Sequence, residues 1–345
     1  MKRSPSIRVL VVTLIGCAIG MASLLSACAS FFPPAPAPNA DAPRAQPAKA
    51  TLTIDGQPIT IHALPTGNVA VKDCHQVNCR DEDSSFPMRM LSIVSDDHFA
   101  PPMPVLSYVI EHPEGIFVVD PGGTEDFTNE DTWECDSFSG HVNRSIVQLD
   151  VRSGEALKER FEATNMALEE IKAVIITHMH VDHTDGLRHL PSTIPTYVGA
   201  GDLNAEDKIG ATTCRNLAGR IPISVEPLVF GKEARPGDRA EAALGHGYAL
   251  TEDQRLRVYP TPGHTPGSLS VRLSTDQGEL WFIGDTAFDV EGLTSQETAG
   301  IHFDMPGVRA QQALMHSLYE DGHAIFPSHD WQAPARLRAL AEVQR

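Results

Sequence analysis

Apolar and polar residues alternate through TLTIDGQPITI at 51–61, with Asp55-Gly56 in the middle. Alternation of period two marks a half-buried strand, and Asp-Gly between two such runs signals a hairpin turn. A second hairpin is predicted from VLSYVIE (105–111) and IFVVD (116–120), joined by His112-Pro113-Glu114-Gly115. The apolar, β-branched run KAVIIT (172–177) reads as a buried strand. Further strands are expected in IPTYVG (194–199), RLRVYPTPGH (255–264), SLSVRLS (268–274), ELWFIGD (279–285) and HAIFPSHD (323–330). Helical spacing takes over in three places. GEALKERFEATNM (154–166) sets Leu157 and Phe161 on one face, with Ser153 expected as its N-cap. VRAQQALMHSLYED (308–321) repeats the pattern with Leu314 and Leu318, and APARLRALAEVQ (333–344) closes the chain. The Pro-, Asp- and Cys-containing stretch 65–104 is expected to be irregular, a kind of loop that is often functional. Residues 124–150, with Phe127, Trp133, Phe138 and His141, are expected to form a lid, and 201–253 loops with short helices.

The first 50 residues follow different rules. Lys2, Arg3 and Arg8 precede the apolar run 9–25, which ends in Leu25-Ser26-Ala27-Cys28. That arrangement is a targeting segment rather than part of the fold. Its last four residues resemble a bacterial lipobox, implying cleavage of residues 1–27 and lipid on Cys28. The expected location is therefore the bacterial cell envelope, the outer membrane favoured because Ala29 is not an aspartate. The catalytic domain would be periplasmic or surface-exposed, with membrane contact through the lipid alone. Residues 29–50 hold six prolines and eight alanines among 22 positions and are expected to be an extended tether. One catalytic domain is read over 51–345.

The charge narrows the partners. With 45 acids against 27 bases the formal charge is −18, and no basic block occurs, which argues against nucleic acid and for a small-molecule substrate. Export permits disulfides among Cys74, Cys79, Cys135 and Cys214, and proximity favours Cys74–Cys79.

The chemistry concentrates in THMHVDHTDG (177–186), where His178, His180, Asp182 and His183 leave the predicted strand 172–177. Imidazoles with a carboxylate and no cysteine suit zinc or a similar divalent ion. His264 in TPGHTPGS, Asp285 in LWFIGDTAF and His329 in IFPSHD each follow an apolar run as well. Five imidazoles and two carboxylates are too many for one tetrahedral ion and suit two ions sharing a carboxylate.

HxHxDH, PGHTPGS, GD and a late histidine together resemble the metallo-β-lactamase superfamily of dinuclear hydrolases. The resemblance covers roughly residues 50–345 and implies an α/β fold, a four-layer αββα sandwich with metals at one edge. It implies that His178, His180 and His264 hold one metal, Asp182, His183 and His329 the other, and that Asp285 bridges them. Asp120, in the turn Asp120-Pro121-Gly122-Gly123, is expected to orient a ligand histidine. The chain reads DHTDG where the family has DHxGG, so Asp185 replaces a glycine.

The reaction implied is attack by a metal-bridging hydroxide on a lactone or ester, with two divalent ions, zinc first, as cofactors and Asp182 as proton acceptor. The layout is most similar to the N-acyl-homoserine lactonase branch, which carries a tyrosine where this chain has Phe288. Glyoxalase II-like thioesterase, organophosphate hydrolase and β-lactamase are the alternatives. The β-lactamases characteristically lack the bridging aspartate, and only 16 residues follow His329, too few for the helical substrate domain of glyoxalase II. A non-catalytic binding protein would not need the full ligand set.

Overall fold

The computed structural model describes residues 32–128, 138–202, 225–228, 230 and 238–342. Cys28, Trp133, Cys135 and Cys214 lie outside them, as do the side chains of Phe127, Phe138 and His141, so the lipobox and residues 129–137 of the expected lid do too, whereas 138–150 of that stretch form a helix and a strand. Among the described residues no helix is long and apolar enough to cross a membrane.

The chain forms β1 (Ala48–Ile54), β2 (Gln57–Val71), α1 (Asp73–Gln76), α2 (Phe86–Val94), β3 (Met103–His112), β4 (Gly115–Val119) and α3 (Phe138–Ile146). Then come β5 (Val147–Asp150), α4 (Leu157–Thr164), β6 (Ile171–Ile175), α5 (Val181–Thr184), β7 (Thr196–Gly199) and β8 (Val225–Leu228). The second half holds α6 (Arg239–Leu244), β9 (Tyr248–Ala249), β10 (Leu256–Pro260), β11 (Leu269–Thr275) and β12 (Gly278–Gly284). It ends with α7 (Val290–Ser295), α8 (Met305–Glu320), β13 (Ala324–Pro327) and α9 (Ala333–Glu342).

Eight strands make one sheet in the order β1-β2-β3-β4-β6-β7-β8, with β5 beside β2, and five make the other, β13-β12-β11-β10-β9. Successive side chains point to opposite faces, and the central strands are buried on both, whereas β1 alternates between buried and exposed positions. Phe117 and Val119 point inward to meet Val271, Leu280 and Phe282 of the facing sheet. Val118 and Val174 point outward and pack under Leu157 and Phe161 of α4. Trp281 and Ile283 on the far face pack under Met315 and Leu318 of α8. The result is the expected αββα sandwich, with three clusters of apolar side chains holding four layers.

Three expectations change. The region read as irregular from residue 65 begins as strand, because β2 continues to Val71 and the register slips between Pro65 and Asn68. A bulge there accommodates Pro65 and Gly67, which hide the strand from its pattern. Ser153 does not cap α4; Gly154 at φ +84 interrupts the helix and Ala156 is the N-cap residue. Residues 32–47, expected to be part of a free tether, lie along the domain. Phe32 is buried with Ile93, Val142 and Ile146. The carbonyl of Pro43 accepts from Asn68 Nδ2 at 2.7 Å, and Arg44 pairs with Asp150. A segment too proline-rich for a core of its own is ordered by side chains the domain supplies.

Candidate metal centre

Ligand candidates stand at strand ends along one edge of both sheets. β4 ends before Asp120 and β6 before His178, while β10, β12 and β13 end before His264, Asp285 and His329. His180 is the N-cap residue of α5, a single helical turn that carries Asp182 and His183. Thus four ligand candidates come from one loop of the first sheet and three from the second. Backbone hydrogen bonds join the two at this edge: Leu269 N donates to Thr177 O at 2.7 Å and Leu106 N to Ser328 O at 3.0 Å.

The structure brings all seven together in two groups. His178 Nε2, His180 Nδ1 and His264 Nε2 form a triangle with sides of 2.8, 3.0 and 3.1 Å. Asp285 Oδ2 lies 3.7 Å from His178 Nε2 and 3.5 Å from His264 Nε2. The other oxygen, Asp285 Oδ1, lies 3.4 Å from His183 Nε2 and 3.2 Å from His329 Nε2. Asp182 Oδ2 completes that second group, 3.5 Å from His183 Nε2 and 3.3 Å from His329 Nε2.

These atoms do not satisfy one another. A ring nitrogen either donates or accepts, so three in mutual contact cannot all alternate. His183 Nε2 and Asp285 Oδ1 are buried without a hydrogen-bond partner. Orphaned polar atoms converging on two points from seven imidazoles and carboxylates fit two divalent cations.

The outer atoms are held. Asp120 sits at φ +55; Oδ1 accepts from Thr177 N at 2.7 Å, and Oδ2 lies 2.8 Å from His183 Nδ1. The expected orienting contact is therefore present. His329 Nδ1 faces Pro104 O at 2.9 Å, and His264 Nδ1 faces His302 Nδ1 at 2.9 Å. In both, Nε2 is left for the centre. Asp185 takes up the place of the family's glycine with a task of its own: Oδ2 accepts from Thr124 N at 3.0 Å and Thr124 Oγ1 at 2.5 Å, while Arg188 pairs with Oδ1. Three groups escape the sequence reading: His302, Asp202 and His75. His302 has no flanking pattern to mark it. Asp202 accepts from Met179 N at 3.1 Å and Gly267 N at 2.6 Å, tying two ligand loops together.

Burial works to raise the Asp182 and Asp285 carboxyls, yet the imidazoles of His183 and His329 outweigh it and hold both well below the usual carboxylate range. In return, His329 is pushed up to about 10 against its burial, by Asp285 first. His178 and His264 are driven well below the ordinary histidine value, by burial first and by neighbouring histidines next. The carboxylates thus demand positive charge at the second group, and divalent cations answer that demand.

A cleft opens over the two groups. Val69, Val71, Met103, Val147, Phe288 and Ile301 make it mostly apolar. The Phe288 ring centroid is 6.3 Å from that of His264 and 5.5 Å from that of His329, so this ring faces the centre. His75 lines the same cleft and was not among the residues marked by sequence.

The sequence profile of the metallo-beta-lactamase superfamily matches residues 100–329. The structure is similar to that of an N-acyl homoserine lactone hydrolase with N-hexanoyl-L-homoserine bound at its catalytic metal centre. The TM-score is 0.58 at 16% identity, over 78% of this chain and 92% of that one. AidC, a dizinc quorum-quenching lactonase, gives 0.54 at 13% identity over 82% and 91%. A probable metal-dependent hydrolase from Staphylococcus aureus gives 0.55 at 13% identity over 79% and 89%. At these identities the likeness is one of fold. No curated protein sequence matches the chain.

Proposed function

Since the chain belongs to the metallo-beta-lactamase superfamily as a metal-dependent hydrolase, we propose that it opens a lactone or cleaves a carboxylic ester at a dinuclear centre. The observation that carries this reading is Asp285, one oxygen of which faces each ligand group. His178, His180 and His264 would hold one divalent ion, Asp182, His183 and His329 the other. Nitrogen-rich ligation favours zinc. When bound, two such ions lower the pKa of a shared water and polarise the acyl oxygen.

The chain's own residues do the rest. Asp120 keeps the His183 Nδ1 proton in place, so Nε2 stays a ligand. Asp182 is a ligand candidate that also lines the cleft, where its carboxylate would accept a hydrogen bond from the attacking water. Val69, Val71, Met103 and Ile301 offer an apolar wall to an acyl chain and exclude water from it. The bound N-hexanoyl-L-homoserine of the similar hydrolase is a product of that class. Phe288 faces the centre but has no hydroxyl with which to donate to the substrate.

Metal analysis with a panel of acyl lactones, aryl esters, phosphotriesters, thioesters and β-lactams tests the proposal. About two ions per chain and chelator-sensitive turnover of lactones or esters are expected. One ion per active chain, or turnover confined to the other classes, overturns it. The envelope location is a separate proposal: Cys28→Ala should move the protein out of the membrane fraction, and unchanged membrane association rejects it.

A further inference from the structure

The cleft that covers the proposed ligands contains one imidazole with no place in the ligand set. His75 is buried, 7% exposed, and its Nδ1 has no hydrogen-bond partner. A buried polar group left unpaired is costly, and in a cleft beside a reactive centre a bound ligand is one group that can pair it. Burial, first among the causes, pushes His75 down to about 3, with the ligand candidates His180, Asp182 and Asp285 close enough to act on it. The unpaired Nδ1 leaves the ring a hydrogen bond still to make in the cleft.

The backbone around it is fixed. His75 lies on α1, and the Cys74–Cys79 disulfide closes the loop that follows. Cys74 N donates to Asp96 Oδ2 at 2.8 Å, and Gly300 N to His75 O at 3.0 Å. That approach needs glycine, because a Cβ on residue 300 would stand 2.0 Å from Cys74 O. Buried Arg89 holds the same loop from behind, donating to Gly300 O at 3.1 Å and His302 O at 2.5 Å. His302 in turn touches the proposed ligand His264. One short segment, 300–302, thus ties His75 to the metal ligands.

We propose that His75 is a catalytic residue that donates a hydrogen bond from its imidazole to the acyl oxygen of the bound lactone or ester. The inference rests on the hydrolase reading above. It accounts for the donor that Phe288 cannot supply: the tyrosine hydroxyl expected at 288 is replaced by a group entering the cleft from another element. Because charge on the acyl oxygen grows towards the transition state, the hydrogen bond strengthens there, and its loss falls on kcat more than on KM.

The test compares the metal-loaded wild type with His75→Phe, His75→Gln and His75→Phe/Phe288→Tyr on an acyl lactone. Metal content and melting temperature are measured for each. We expect kcat/KM to fall roughly 10–100-fold in His75→Phe with about two ions retained. His75→Gln, which keeps a donor, should recover part of that loss, and so should the added tyrosine. Wild-type rates in folded, fully loaded His75→Phe overturn the assignment, as does a loss matched by lost metal in both single variants. If His75→Phe fails to fold, His75→Gln decides: a loss in KM alone, with kcat unchanged, overturns the proposal. A wild type inactive on every lactone and ester overturns the hydrolase reading itself, which is a different result from an active wild type indifferent to His75.

Discussion

The two ligand groups are built alike and supported differently. Each takes two side chains from the loop after β6 and one from the second sheet, and each faces one oxygen of Asp285. Behind the first group stand neutral partners: His302 against His264, and the Thr177 hydroxyl 3.2 Å from His178 Nδ1. Behind the second stand the Asp120 carboxylate against His183 and the Pro104 carbonyl against His329, and Asp182 is itself a ligand candidate. A carboxylate behind an imidazole raises its basicity and fixes its tautomer more firmly than a neutral partner does. The second group should therefore depend strongly on its support, and the first mainly on its three rings.

The strongest way to break the comparison is to remove what both groups share. Asp285→Ala should cost both ions and lower turnover by roughly a thousandfold or more. Metal content near one per chain with most activity retained would show that the groups are independent. Next, His329→Ala should empty the second group and leave the first filled, cutting activity by roughly 100-fold. His264→Ala should do the reverse. Absorption of the cobalt-substituted variants reads which group remains, and identical spectra would contradict two distinct sites.

A finer test sets the supports against each other. Asp120→Asn should weaken metal binding by roughly 10–100-fold, whereas His302→Leu should weaken it by less than about tenfold. Titration with a competing chelator measures both, and a larger effect from His302 would reverse the proposed asymmetry. The smallest effect belongs to Phe288, whose ring stands between His264 and His329. Phe288→Tyr should raise lactone kcat/KM by up to roughly tenfold over its effect on an aryl ester, with unchanged metal content. A lower melting temperature with no gain in turnover would mean the new hydroxyl finds no acyl oxygen to serve.

Much of the site was legible before any folding was considered, because metal ligation demands particular side chains and strands end in loops that carry them. His178, His180, Asp182 and His183 are close together in sequence, and His264, Asp285 and His329 each follow a short apolar run that reads as a strand. Apolar runs also placed several strands, since a strand buried on both faces leaves few positions for polar side chains. The Cys74–Cys79 pairing was favoured by proximity alone.

Other features depended on contacts distant in sequence. Ser153 met the usual residue preference for a helix cap, yet the backbone at Gly154 placed the cap at Ala156. Residues 32–47 have the composition of a free chain, and only partners such as Asn68 and Asp150 order them. Asp185 replaces a glycine of the family's turn, and the partners that use it, Thr124 and Arg188, are set by the fold. His75 and His302 carry no local signal at all, for each acquires its role from a segment more than thirty residues away: His75 from the ligand loops, His302 from His264. The sequence by itself determined which side chains could ligate and which runs could be strands, because both are properties of nearest neighbours along the chain. Only the docking of the two sheets decided which buried polar groups remain unpaired over the centre, because burial and pairing exist only once both sheets are in place.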